Sequence, residues 1–421
     1  MIEPHNGAGC DDQLRVAIHA EDLGFAGFFR SDHLIAGDGD GLPRPSDTWI
    51  TLAALGRETS TIRLGSLMTS ATFRHPSLLA VSVAQADQMG GGRVELGLGA
   101  GWWVREHAAT GIELPEIRER FDRFAEQLEI LHGLWSTPVG ETYSFSSDLY
   151  RLDRAPALPK PMQEQVPIII GGDGQTRTPE LAARWAKEFN SGWENPTVTK
   201  FPFDRVAAAC TRIGRDHSSI RRSTVQTLCG GDTVADRERR AAGMGVPLSE
   251  LAGLVGNEGD IRRPVADFKA VGVDRVYVEI LDLADLEHLN YFADAVGLQP
   301  PEQPSVVRQP TALLLNRESS VYRSGFRLRA AFLAKKWSPA RSREGRKSRL
   351  VIVHLTGTGL VVGPQYWSID MGEVDSWAGW AGQAQVARII CTVSSRVRLL
   401  ARAFRMKRSV SGTRVCECED W

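Results

Sequence analysis

The sequence predicts an α/β protein of the TIM (β/α)8 barrel class. Short apolar runs alternate with amphipathic helical stretches through roughly the first 300 residues, a length suited to one barrel. The run Val166-Pro167-Ile168-Ile169-Ile170 is bounded and wholly apolar, as in strands buried on both faces of a parallel sheet. Glycine-rich or polar segments close one predicted strand after another, and barrel enzymes build their sites at that end. Periodicity alone also admits an open doubly wound sheet; the scale of the alternation favours the barrel.

The elements read off in order. Met1-Ile2-Glu3 is the tail of a first strand whose earlier residues are absent, so its two neighbours are expected to carry unpaired edges. Asp11 is placed to cap a helix with Leu14, Ala17 and Ile18 on one face, ending at Leu23-Gly24. Ala26 to Phe29 forms the second strand. Asp47 starts a helix carrying Trp49, Ile50, Ala53 and Leu55, and Thr61 to Met68 forms the third strand. Pro76 suits the first turn of a helix running to Met89. Val94 to Leu98 is the fourth strand. Phe121, Phe124, Leu128, Leu131 and Trp135 then repeat every three or four residues, a regular helical stripe. The Val166 run is the fifth strand, and 187–191, 223–229 and 274–281 complete eight. Segment 138–165, with Tyr143, Phe145, Tyr150 and several prolines, is too long for a simple connection and is expected to cross the barrel mouth.

Composition sets the class and divides the chain. Of 421 residues, 42% are hydrophobic and 24% charged, which excludes a disordered or fibrous protein. Residues 1–298 carry 30 Lys and Arg against 42 Asp and Glu, whereas 299–421 carry 20 against 9. Two segments of opposite balance are expected to be separate units: a barrel over 1–298 and a basic tail over 299–421 outside the barrel fold. The tail opens with Pro300, Pro301 and Pro304, a linker composition, and lacks sustained period. Within it, 350–362 is the one candidate strand pair. Its basic cluster Arg341 to Lys347 comes without a nucleic-acid-binding fold, and Cys416-Glu417-Cys418 comes without a second pair for zinc. Neither a nucleic-acid partner nor a metal is therefore expected. No apolar stretch approaches membrane-spanning length, no signal-peptide pattern opens the chain, and six scattered cysteines suit a reducing compartment. A cytoplasmic location is expected.

The chemistry lies in the segments after the strands. Ser31-Asp32-His33 follows the second, and Thr72-Phe73-Arg74-His75-Pro76 links the third to its helix. Gly97-Leu98-Gly99-Ala100-Gly101-Trp102 closes the fourth, Ile170-Gly171-Gly172-Asp173-Gly174 the fifth, and Phe189-Asn190-Ser191-Gly192-Trp193 the sixth. The glycines at 97–101 mimic a dinucleotide fingerprint, but Trp102 stands where a third glycine belongs and the next strong helix starts only near Arg118. Gly99 and Gly101 suit a backbone passing close to a flat ring or substrate. Gly171, Gly172 and Gly174, followed by Thr176 and Arg177 at a helix start, suit a phosphate; a plain tight turn is the alternative. His33 has an acid beside it and serves as an acid or base near neutral pH, or as a structural group. Glu106-His107 reads as a solvated helix end, with part of a shell behind a bound ring as the alternative.

In order and spacing these segments resemble the bacterial-luciferase-like superfamily, in particular its coenzyme F-420-dependent oxidoreductases. The resemblance covers about residues 1–298, including the terminal run from Arg275 to Leu283. It implies hydride transfer between a deazaflavin coenzyme and a small organic substrate. An FMN-dependent monooxygenase on the same barrel is the alternative, and a coenzyme-binding barrel without turnover is a third. By resemblance, the coenzyme phosphate falls to Gly171, Gly172, Gly174, Thr176 and Arg177, while Leu67 and Met68 form a bulge behind the ring. His33 falls near the ring's reactive face, with Asp32 fixing its tautomer. Relatives are often dimers. Two departures point away from the family's sugar-phosphate substrates. Trp102 stands where those enzymes place an acidic proton donor, and Leu34, Ile35 and Ala36 where they place a tryptophan. An apolar or aromatic substrate under Trp102, Trp103 and Tyr150 is expected instead.

Overall fold

Each apolar run of the first 300 residues does become a parallel strand with a helix behind it. The structure, a computed structural model, describes residues 1–300 except 38–41, 43 and 44, and beyond them four short strands. The chain divides into two compact units, Met1–Leu315 and Asn316–Trp421. In the first, α1 (Cys10–Asp22) leads to β1 (Gly27–Arg30), α2 (Thr48–Glu58) to β2 (Arg63–Ser70), and α3 (Pro76–Met89) to β3 (Val94–Gly99). A short α4 (Val104–Thr110) and the long α5 (Ile117–Ser136) precede the hairpin β4 (Tyr143–Ser146) and β5 (Arg151–Ala155). The alternation resumes with β6 (Ile168–Gly171), α6 (Arg177–Trp185), β7 (Glu188–Asn190), α7 (Pro196–Arg212), β8 (Arg221–Gly230) and α8 (Val234–Gly243). It closes with β9 (Leu254–Gly256), α9 (Glu258–Ala270), β10 (Arg275–Glu279) and α10 (Glu287–Val296).

The sheet runs β1-β2-β3-β6-β7-β8-β10, with β9 on the far half of β8. Closure falls to a single residue. Ile2 bridges β1 at Arg30 and the end of β10 at Ile280, both in parallel. The Ile2 amide donates to Phe29 O at 2.9 Å, Ser31 N donates to Ile2 O, and Ile280 N donates to Met1 O at 3.0 Å. The stub pairs with both neighbours at this level and completes an eight-membered ring. Among the described residues, Gly27 and Phe28 of β1 and Arg275 to Tyr277 of β10 keep the unpaired edges expected, with a small cavity between them. A helix-wrapped parallel barrel results.

Local sequence explains the helix starts. Asp47 accepts from the amides of Trp49 and Ile50, both at 2.9 Å, and so caps α2 as expected. α1 begins two residues earlier than the sequence suggests: Gly9 is the cap residue in place of Asp11, and Asp12 accepts from its amide. The α5 stripe buries Phe124, Leu128, Leu131 and Trp135 against the sheet. Complete burial of a side chain such as Leu128 contributes about 2 kcal/mol. Inside the barrel, Met1, Phe29, Leu67, Ile169, Val225 and Tyr277 form a separate small core. Gly65 is required there, since a Cβ would stand 2.3 Å from the Phe29 ring.

Segment 138–165 does not cross the mouth. None of its residues lines the barrel cavity. Polar anchors hold it against the outer helices instead: Lys160 Nζ donates to Leu134 O at 2.7 Å, and Met162 N and Gln163 N donate to Asp87.

In the second unit, β11 (Leu350–His354) pairs antiparallel with β12 (Gln365–Ile369), and β13 (Met406–Arg408) with β14 (Arg414–Cys416). The expected strand pair at 350–362 supplies the first of these strands. The cluster Arg341 to Lys347 and Cys418 lie outside the described residues.

Candidate active site

The carboxyl ends of the strands surround a cavity of about 830 Å³. Glu3 comes from the Ile2 stub, Asp32 and His33 from the end of β1, Leu67 to Ser70 from β2, and Gly99 to Trp103 from the end of β3. Gly171 to Gly174 follow β6, Asn190 to Glu194 follow β7, and Val225 comes from β8. Parallel strands ending together expose side chains at one rim, so residues far apart in sequence converge.

His33 sits on this rim with its Nδ1 at 3.2 Å from Glu106 Oε1. The same carboxylate oxygen accepts from the Leu34 amide at 2.6 Å. Glu106 is 1% exposed, so this acid is a buried partner and not a solvated helix end. Burial works against a charge on His33, but the Glu106 hydrogen bond and the fields of Glu3, Glu106 and Asp32 outweigh it. The imidazole is therefore held above its usual range. Trp103 and His5 pack edge-on against the His33 ring at 5.0 and 4.9 Å, and Trp102 stacks on Trp103 at 5.8 Å.

Asp32 has another role. Its carboxylate takes both terminal nitrogens of Arg74, which also reaches Asp47 Oδ2 at 2.7 Å. The expectation that Asp32 fixes the His33 tautomer is thus corrected. An arginine fork matches a carboxylate in two bonds, and the imidazole is left to Glu106. His107 is also buried: Nδ1 donates to Trp103 O at 2.8 Å and Nε2 meets Thr72 Oγ1 at 2.6 Å, tying the segment after β3 to the segment after β2.

The opposite wall is built from Leu67, Met68 and a set of glycines. Leu67 and Met68 are joined by a cis peptide bond where the β2–β3 register shifts between Ser66 and Thr69. Gly97, Gly99 and Gly171 leave room for Met68, whose side-chain atoms would lie 3.1, 3.4 and 2.9 Å from a Cβ at those positions. Gly172 and Gly192 have positive φ and face open space. Behind the floor, Glu279 accepts from Trp193 Nε1 and from Thr227 Oγ1; burial, with Glu3 nearby, holds its carboxyl above the usual range.

A family model described as luciferase-like monooxygenase matches residues 2–275, well over half of the chain. The chain belongs to this luciferase-like family. Among curated relatives, a coenzyme F-420-dependent glucose-6-phosphate dehydrogenase of Nakamurella multipartita is 37% identical over 43% of this chain and 52% of its own length. An F-420-dependent hydroxymycolic acid dehydrogenase of Mycobacterium tuberculosis is 32% identical over 56% of this chain and 64% of its own. The luciferase-like chain thus spans about half to just under two thirds of these relatives. Its fold is similar to that of a solved F-420-dependent secondary alcohol dehydrogenase, with a TM-score of 0.60, 20% identity and 70% and 98% of the two chains covered. A Streptomyces bottropensis monooxygenase gives a TM-score of 0.57, 20% identity, and 70% and 97% coverage. At such identities these two structures speak for the fold alone.

Within the luciferase-like barrel, the residues singled out from sequence fall into two groups. His33, Asp32, Leu67, Met68, Gly99, Gly101, Gly171, Gly172, Gly174, Trp102 and Trp103 all line the cavity. Thr176, Arg177 and Tyr150 do not. Arg177 pairs with Asp122 at 2.6 Å and donates to Arg118 O, turned toward α5. The Tyr150 hydroxyl accepts from Gln127 and its ring packs on His75, outside the mouth. Thr178, one turn into α6 and buried, lines the cavity where Thr176 was expected. Glu106, Glu279 and Glu3 were missed as site residues. A buried acid one turn into a short helix carries no periodic signal, and its partner lies 73 residues away.

Proposed function

We propose that this protein is a coenzyme F-420-dependent oxidoreductase that moves a hydride between the deazaflavin and a small alcohol or its carbonyl product. The observation that carries the reading is the cavity's two-sided construction: a glycine wall opposite the His33–Glu106 pair. The residues fit the coenzyme. A flat ring needs a stretch of wall without side chains, and Gly172 and Gly192, which face open space, supply one. An anionic phosphate group would be met by the main-chain amides of 173 and 174, in the turn that leads into α6. The names of the curated relatives favour the deazaflavin over FMN.

When bound, the deazaflavin supplies the hydride-accepting and hydride-donating carbon. The chain supplies positioning and a proton site. With His33 Nδ1 donating to Glu106, Nε2 is the nitrogen left to exchange a proton with the substrate oxygen. As an alcohol is oxidised, its carbon gives up the hydride and His33 takes the hydroxyl proton; Glu106 stabilises the imidazolium so formed. Trp102 and Trp103 pack edge-on against the His33 ring and hold its orientation for the proton transfer. A homodimer is part of the same proposal, and exposed apolar side chains on α2 and α3 (Ile50, Leu78 and Val81) support it.

The test is a fluorescence titration of the full chain with coenzyme F-420 and, in parallel, with FMN. Micromolar or tighter deazaflavin binding is expected, weakened at least tenfold by Gly172→Val, whose side chain would enter the cavity. A preference for FMN with oxygen uptake would replace this reading with the monooxygenase one.

A further inference from the structure

Charge on the cavity wall narrows the substrate further. Among the described residues, no lysine or arginine lines the cavity, although acids enter it from several strands. Two of these acids are already occupied: Asp32 with Arg74, and Glu106 with His33. Asp173 and Glu194 have no ion-pair partner among the described residues, and Glu3 has only His5, with its Oε2 buried and accepting no hydrogen bond. The remaining lining mixes the polar side chains Ser31, Thr69, Ser70, His107, Thr178, Asn190 and Ser191 with an aromatic and aliphatic surface that includes Trp102, Trp193, Ile117, Phe121 and Phe73. Trp102 and Trp193 are exposed at 68% and 58%, which puts apolar surface where a ligand would enter.

An anion placed in this cavity meets like charges from the segments after β6 and β7 and from the stub, and among the described lining residues no lysine or arginine offsets them; His33, when protonated, is already paired with Glu106. Like charges several ångströms apart in a partly desolvated cleft cost a factor of about ten in binding each. The coenzyme's own phosphate, on the reading above, takes the main-chain amides in the turn that leads into α6. For a second anion, the rest of the described wall offers neutral hydroxyl and amide groups, set against the carboxylates of Glu3, Asp173 and Glu194. We infer that the substrate carries no phosphate or carboxylate: it is an uncharged or amine-bearing alcohol with an apolar body. This rests on the oxidoreductase reading and deepens it. It also sets this chain apart from the relatives named for a sugar phosphate.

The test uses the full chain and begins with the deazaflavin titration, so that failure to bind coenzyme, which would sink the parent reading, is seen separately. The coenzyme-loaded protein is then given 1-phenylethanol, its 4-carboxylate analogue and glucose-6-phosphate, following coenzyme absorbance for turnover and intrinsic fluorescence for binding. The neutral alcohol is expected to exceed the carboxylate in kcat/KM by at least about tenfold, and glucose-6-phosphate should show no saturable binding. Glu194→Lys should shrink that preference about tenfold, a change that a merely structural Glu194 would not produce. Equal or better use of the carboxylate, saturable glucose-6-phosphate binding, or no response to the neutral alcohol would each overturn the inference.

Discussion

The two ends of the barrel treat charge in opposite ways. At the amino-terminal end of the strands, the buried carboxylates Glu95 and Glu188 are both held by arginines. Glu95 takes Arg63 and Arg275, with Arg275 Nη1 at 2.7 Å from Glu95 and 3.1 Å from Glu188. Tyr277 donates to Glu188 at 2.5 Å and Arg221 completes the set. At the carboxyl-terminal end, Glu3, Asp173 and Glu194 lack such partners, and His33 is held ready to carry a proton. A matched network resists change and fixes the strands. An unmatched rim is unstable by itself and useful only toward a ligand, the separation expected of a barrel enzyme.

Breaking the matched end should produce the largest effect. Glu95→Ala leaves Arg63 without its acid and Arg275 with half of its partners in a buried setting. The full chain should lose about 3–5 kcal/mol in urea unfolding, while the folded fraction keeps its coenzyme affinity within about threefold. A loss below about 1 kcal/mol would remove the contrast between the ends.

At the other end, His33→Asn should lower kcat for alcohol oxidation by about 10²–10⁴ with little change in unfolding free energy or coenzyme binding. A large stability loss without a rate effect would return His33 to a structural role.

His288 shows that the carboxyl-terminal end also holds structural groups. It is fully buried and its Nε2 accepts from the Gly230 amide at 3.0 Å. Burial, followed by nearby Arg240, lowers its value from 6.5 to about 4. The neutral ring is the folded form, so its contribution is present above pH 6.5 and is lost as pH falls toward 4. That window should cost about 3 kcal/mol, and His288→Gln should flatten this part of the stability–pH curve.

Glu106→Gln should have the smallest effect and the most specific one. The plateau kcat/KM should fall about tenfold, and the acid limb should move to lower pH because the imidazolium loses its carboxylate. Stability follows the same linkage with the opposite sign to His288. The raised His33 value stabilises the fold below pH 6.5, and this is lost as pH rises through the folded value. A tenfold loss with an unmoved pH profile would mean that Glu106 only props the segment after β3.

Much of this was legible in the chain. Strand–helix alternation comes from local apolar periodicity, which the barrel preserves, and Asp47 and Pro76 mark their helix starts because capping is a contact within one turn. The glycines at 99, 171 and 172 line the cavity, the first two making room for the Met68 side chain and the third facing open space. The failures share one cause: each needed a partner remote in sequence. Asp32 lies next to His33 in the chain yet binds Arg74, while Glu106 reaches His33 from another strand's connection. Arg177 follows the glycine turn but swings to Asp122, and Tyr150 is drawn to Gln127. The sequence by itself determined the barrel, the rim at which its site lies, and the glycine wall, since periodicity, turn chemistry and missing side chains are local properties. Only the tertiary structure decided which acid serves the histidine, that one residue closes the ring, and that the cavity wall has no described cation. Those depend on which strand ends the closed barrel brings side by side.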